Sequence, residues 1–170
     1  RKPLTAAALA GLLRPSRGDV NMVSAPEVLN ESGVKLAETK TDDSPVYDSL
    51  IRIKVLTKRT ENDPEPGWRS RAGTLIAGQP RIVEVKGMAL EGDFNSRVLY
   101  VNNLDKPGFI GSLGALLGKE EINIATFHLG RTDAGGEAIA LIGIDSEPST
   151  NLVKELKALP HVRYAKVLNF

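Results

Sequence analysis

The residues best suited to binding chemistry fall in one run, Asn102-Asn103-Leu104-Asp105-Lys106-Pro107-Gly108. The run joins an apolar stretch to a segment with helical periodicity. Peptide N–H groups at a helix start point ahead of the helix and favour an anion such as a carboxylate. Pro107 lacks the N–H that a first turn leaves orphaned, and Gly108 lets a ligand approach the backbone. Asn103 and Asp105 offer oxygen acceptors for an ammonium group. Donors for a carboxylate beside acceptors for an amine are what a free α-amino acid needs. Asp105 can equally cap the helix, and one side chain can do both.

Other chemistry finds less material. There is no cysteine, which excludes disulfides, thiolate zinc sites, cysteine nucleophiles and cysteine-ligated iron–sulfur clusters in this chain. The two histidines, His128 in a strand pattern and His161 after Pro160, read as structural or solvated. Gly130 to Gly136 has the wrong spacing for a dinucleotide fingerprint and opens a strand, not a helix. Asn123, two residues after Glu121, reads from its own context as a turn residue with a left-handed backbone. Lys58, Arg59, Arg69 and Arg71 read as loop charges, and Trp68 as a packing or interface anchor.

The elements that must position the Asn102–Gly108 run show regular order. Val98–Asn102 reads as a strand and Pro107–Gly118 as a helix, with Ile110, Leu113, Leu116 and Leu117 at helical spacing. Ile122–Leu129 and Glu137–Ile144 read as strands around the turn Arg131–Gly136. Ser149–Leu159 is a helix and Val162–Leu168 a last strand. The order β-α-β-β-α-β predicts a ferredoxin-like two-layer domain.

The N-terminal part is more varied. Leu4–Leu13 favours a helix, and Pro15 and Gly18 stop it. Val20–Val23 reads as extended. Ser24 opens a second helix in capping-box fashion with Glu27, Pro26 lies in its first turn, and Gly33 ends it in a left-handed cap. Val34–Lys40 reads as a weak strand, Thr41–Pro45 as a turn and Lys58–Gly67 as a surface loop. Leu50–Thr57 alternates with a period of two. Arg71–Ala77 and Arg81–Met88 read as strands joined through Gly78-Gln79-Pro80, with a turn at Glu91-Gly92-Asp93. The expected fold class is α+β in two small domains, a mixed α/β sheet domain over residues 1–95 and the ferredoxin-like domain over 96–170.

Composition agrees with a folded chain. Of 170 residues, 41% are hydrophobic and 25% charged, which excludes disordered and collagen-like classes. No run approaches the roughly 20 apolar residues of a membrane helix, so no membrane partner is expected. Net charge is +1, and basic and acidic residues balance in both halves, so no nucleic-acid partner is expected either. The missing cysteines fit a cytoplasmic location. The first residue is Arg1, which suggests a piece of a longer chain or a processed one. A signal peptide at Leu4–Leu13 is disfavoured, because Arg14-Pro15-Ser16-Arg17 follows it.

The Asp105-Lys106-Pro107-Gly108 loop, the helix through Leu117 and Ile122-Asn123-Ile124-Ala125 resemble an ACT domain, a small-molecule-sensing module. The N-terminal half strengthens the likeness. Val20-Asn21-Met22-Val23-Ser24-Ala25-Pro26, Glu31-Ser32-Gly33-Val34, Ala72-Gly73-Thr74-Leu75 and Ile82-Val83-Glu84-Val85-Lys86-Gly87 resemble the intervening, or allosteric substrate-binding, domain of long-form D-3-phosphoglycerate dehydrogenases. Together they resemble that family's C-terminal regulatory region.

The resemblance implies a non-catalytic fragment of an enzyme that oxidises 3-phosphoglycerate with NAD in serine biosynthesis; NAD and the catalytic residues would lie upstream, and no cofactor is expected here. It implies a homo-dimer or tetramer whose ACT domains pair and bind L-serine as feedback inhibitor. Asn103, Asp105, Lys106, Pro107 and Gly108 would form the site, with Asn123 from the neighbouring subunit. Family members place histidine or tyrosine where this chain has Asn103. Some bind phosphate or a phosphorylated substrate through basic residues. Arg81 matches one such position, while Met88 and Gly143 stand at two others; alternatively, Arg81 is a solvated strand-edge charge. Two other functions compete. One is an oligomerisation module without sensing; the other is a β-type subunit of iron–sulfur serine dehydratase, whose Ser-Ser-Ser-His-Thr run is missing here.

Overall fold

The computed structural model describes residues 2–41, 46–58 and 67–170. The chain divides into two compact units, Arg1–Ser44 and Pro45–Phe170. In the first, α1 (Lys2–Leu13) and α2 (Ala25–Glu31) bury Leu9, Ala10, Val20, Ala25 and Leu29 against one another. Gly33 takes the left-handed conformation expected of it, with φ 67°.

Three local expectations fail in this unit. Val20–Val23 is not extended: Oδ1 of Asn21 accepts from the N–H of Val23 (2.8 Å) and Ser24 (3.1 Å), which folds the segment into a turn. Ser24 does not form a capping box. Its own backbone is already helical, and its hydroxyl accepts from the N–H of Asn21 instead. Val34–Lys40 is irregular, with Val34 and Leu36 half exposed, and neither sheet takes it in. The predicted turn at Thr41–Pro45 lies outside the described residues from 42 on, as does most of the loop predicted over Lys58–Gly67.

The second unit holds two four-stranded antiparallel sheets. The first is a meander of β1 (Ile51–Thr57), β2 (Gly67–Ile76), β3 (Gln79–Val85) and β4 (Met88–Asp93). Its β2–β3 turn is Ala77-Gly78, so Gln79 and Pro80 already belong to β3. β3 ends before Met88 because Lys86-Gly87 turns with φ 52° and 80°, the left-handed pair a two-residue hairpin requires. Glu91-Gly92-Asp93 is strand, not turn. A Cβ on Gly92 would stand 2.9 Å from Cδ1 of Leu141, so packing rather than chain reversal explains that glycine.

The second sheet carries the β-α-β-β-α-β order: β5 (Arg97–Leu104), α3 (Phe109–Lys119), β6 (Ile124–Arg131), β7 (Glu137–Ile144), α4 (Thr150–Ala158) and β8 (Val162–Asn169). Its strand order is β6-β7-β5-β8, the ferredoxin-like arrangement expected. Leu99, Val101, Ala140 and Ile142 form one core with Leu113 and Leu117 of α3 and Leu152 and Leu156 of α4. Val98, Tyr100, Ile139 and Leu141 form another with Val85, Met88 and Leu90 of the first sheet. Strands buried on both faces read as continuous apolar runs, which is why β5 and β7 show no alternation. Close approach fixes the contact between sheets: a Cβ on Gly130 would meet the Ala89 carbonyl oxygen at 2.8 Å.

Candidate functional site

Asn102, Asn103 and Leu104 are the last residues of β5, not part of a loop. Asn102 faces the first sheet, where its Nδ2 donates to Oε1 of Glu137 at 2.7 Å. Asn103 alternates to the helix side. It is 1% exposed; its Nδ2 donates to the Leu104 carbonyl, and its Oδ1 has no hydrogen-bond partner. A buried acceptor of this kind is costly unless something donates to it.

The loop proper is Asp105–Gly108. α3 starts at Phe109, two residues later than expected, because Gly108 holds φ 93°, outside the helical region. Pro107 therefore precedes the helix rather than opening its first turn. No side chain caps α3, and no acidic residue lies in its first turn, so its N-terminal end is open to an external anion.

Asp105 is not the cap. Its N–H donates to the Gly136 carbonyl, and its Oδ2 receives Nη1 of Arg131 at 2.6 Å and the N–H of Gly135 at 3.4 Å. The Arg131 hydrogen bond, helped by the Gly135 N–H and the charges of Arg131 and Lys106, holds the Asp105 carboxyl below the usual range against desolvation. The Lys106 ammonium lies over the same hairpin, 3.7 Å from where a side chain on Gly135 would begin.

These groups share a cleft of about 500 Å³. Asn103, Asp105, Lys106, Pro107 and Gly108 line it, as do Ile110 of α3 and Leu129 and Arg131 of β6. Sheet register explains why Asn103 and Arg131 share this cleft. Ala138 of β7 stands opposite Asn103 on one side and Arg131 on the other, so all three side chains emerge on one face. Sequence reading placed Arg131 in a glycine-containing turn and gave it no role. Nothing local marks it; only strand pairing brings it to Asp105, 26 residues away.

Asn123 does not line the cleft of its own chain. It is exposed ahead of β6, its Nδ2 donates to Oδ2 of Asp145 at 2.7 Å, and the left-handed residue of this turn is Glu121. Arg81 is engaged: Nε pairs with Oδ1 of Asp93 at 3.1 Å and Nη1 donates to the Pro80 carbonyl. The second oxygen of Asp93 meets Nε2 of His128, which gives that histidine a bridging role between the sheets. Met88 is buried, and Gly143 lies beneath Asn95 and Thr126. Trp68 is 70% exposed beside Leu56 on the first sheet.

Comparison with known families decides the kinship. The pattern described as the D-3-phosphoglycerate dehydrogenase intervening domain matches residues 1–86. The chain belongs to that family. The ACT domain pattern matches residues 97–161, which hold three of the four strands of the ferredoxin-like sheet and the cleft loop. An intervening domain followed by an ACT domain is the C-terminal regulatory region of a D-3-phosphoglycerate dehydrogenase. Among relatives, the D-3-phosphoglycerate dehydrogenase of Bacillus subtilis (strain 168) is 32% identical over 167 residues, 98% of this chain and 31% of that protein. Those of Methanocaldococcus jannaschii and Synechocystis sp. are 29% and 31% identical, over 95% and 96% of this chain and 29% of each relative. The chain thus spans under a third of the length of these relatives. Among the described residues no helix is long and apolar enough to cross a membrane.

Proposed function

We propose that the ACT domain senses a free α-amino acid, L-serine, in the cleft at Asp105–Gly108, and that it does so for a D-3-phosphoglycerate dehydrogenase whose NAD-dependent catalytic part lies outside this sequence. The buried, unpaired Oδ1 of Asn103 carries the reading, set beside the uncapped start of α3. The open helix end suits the carboxylate. Asn103 Oδ1 and the Asp105 carboxylate suit the ammonium group. Occupancy would favour one arrangement of the oligomer and so inhibit the catalytic part, with a coupling of typically about 1–3 kcal/mol.

A homo-dimer or tetramer in the cytoplasm belongs to the same proposal. β6 is an edge strand of its sheet with Ile124 and Leu129 partly exposed, a surface that a second copy could cover. Asn123 of the neighbouring subunit would then reach the ligand. Phosphate at Arg81 draws less support, since an anion there must compete with Asp93 for the guanidinium.

A thermal-denaturation titration with L-serine, D-serine and glycine tests the reading. Stabilisation by L-serine, smaller with the other two, is the expected result. A second reading, assembly without sensing, draws on the exposed Ile110, Gly111, Ala115 and Gly118 of α3. It predicts an oligomer whose stability ignores all three ligands.

A further inference from the structure

Both contacts that the Asp105 carboxylate makes fall on one oxygen. Arg131 Nη1 and the Gly135 N–H meet Oδ2, while among the described residues no hydrogen bond or ion pair is made to Oδ1. Arg131 is itself placed by strand pairing, opposite Ala138 on the face that carries Asn103. We propose that Arg131 is the positioning residue of the cleft: by gripping Oδ2 of Asp105 it leaves Oδ1 oriented as the oxygen that receives the ligand's ammonium group. The proposal rests on the amino-acid reading above and adds a residue to it.

Geometry favours positioning over direct capture of the ligand's carboxylate. A 2.6 Å contact between a guanidinium and a carboxylate is a charge-assisted hydrogen bond already made. A carboxylate taking Arg131 would have to share the guanidinium with Asp105, whereas the start of α3 has no side-chain cap. A guanidinium also fixes direction as well as charge, which an ammonium does less well. The other charged groups near Asp105 do not duplicate this role. Lys106, on the same loop, lies by Gly135 and makes no hydrogen bond to the carboxylate. Oδ1 of Asp133, on the hairpin, accepts from the Thr132 hydroxyl, and Glu137 turns to Asn102 and Lys86 on the opposite face.

The test compares the full 170-residue chain with Arg131→Gln and Arg131→Lys. L-serine affinity is measured by calorimetry from pH 7 downward, and the Asp105 carboxyl carbon is titrated by NMR without ligand. At pH 7, Arg131→Gln should weaken L-serine by roughly tenfold, the equivalent of one charge-assisted contact. The pH at which affinity is lost on acidification should rise, because Asp105 then protonates earlier; Arg131→Lys should recover part of both. An Asp105 titration unchanged in Arg131→Gln overturns the proposal, as does an unchanged affinity with an unchanged acid limb. If the wild type binds no amino acid while the titration does shift, the pairing stands and the ammonium role of Asp105 falls with the amino-acid reading.

Discussion

Asn103 and Arg131 stand on different strands, yet both are opposite Ala138. The small side chain between them lets both lie close together at the cleft, which both line. Ala138 is itself fully buried. Replacing it by leucine crowds both neighbours, Asn103 and Arg131, which line the cleft.

Ala138→Leu should therefore abolish L-serine stabilisation at a modest cost in intrinsic stability. Overpacking at a buried site costs about 1–3 kcal/mol. Urea denaturation with and without L-serine separates the two effects. Retained ligand stabilisation in a folded Ala138→Leu protein would place the ligand elsewhere.

Glu137 ties the two sheets together on the opposite face. Its Oε1 accepts from Asn102 Nδ2 at 2.7 Å and from Lys86 Nζ at 3.1 Å. Burial pushes its carboxyl up, but these hydrogen bonds and the nearby charges of Lys86 and Arg163 outweigh it, and the net shift is downward. A carboxyl lowered in this way contributes stability above the ordinary glutamate pKa of about 4.3, and the contribution is lost as pH falls through the folded-state value. Glu137→Ala should lower stability at pH 7 by about 1–3 kcal/mol, because it leaves the buried Asn102 amide unpaired. The gap between mutant and wild type should narrow on acidification below about pH 4.3. Urea midpoints at pH 7 and pH 3 measure it; an equal gap at both would contradict the assignment.

Asp93 joins Arg81 of β3 to His128 of β6. Asp93→Asn should cost about 1 kcal/mol and release the Arg81 guanidinium. Phosphate binding, followed by NMR, should be stronger in Asp93→Asn than in wild type. Equal binding in both would mean that Asp93 does not guard Arg81.

Much of the architecture was legible in the sequence. The β-α-β-β-α-β order survives because Ile110, Leu113, Leu116 and Leu117 keep helical spacing and β5 and β7 are nearly all apolar. Gly33 was legible because left-handed backbone demands such a residue. β4 was not. Its Glu91-Gly92-Asp93 carries turn residues, and only the approach of Leu141 explains the glycine. The Ser24 capping box failed because Ser24 is itself helical and Asn21 Oδ1 already takes the Ser24 N–H that Glu27 would have bonded.

The loop Asp105–Gly108 could be read as a candidate site from residue types alone. The direction of Asp105 could not, since capping and ligand binding need the same side chain. Arg131 was beyond local reading altogether. Its role comes from register across three strands, which no spacing in the chain encodes.

Isothermal calorimetry of L-serine against the wild-type chain and Asp105→Ala addresses the central claim most directly. The wild type should show saturable binding, absent or strongly weakened in Asp105→Ala, and about 2.7 kcal/mol of stabilisation at 100 times the dissociation constant. No heat of binding at millimolar L-serine from a folded, oligomeric wild type, or equal binding by both proteins, would contradict it.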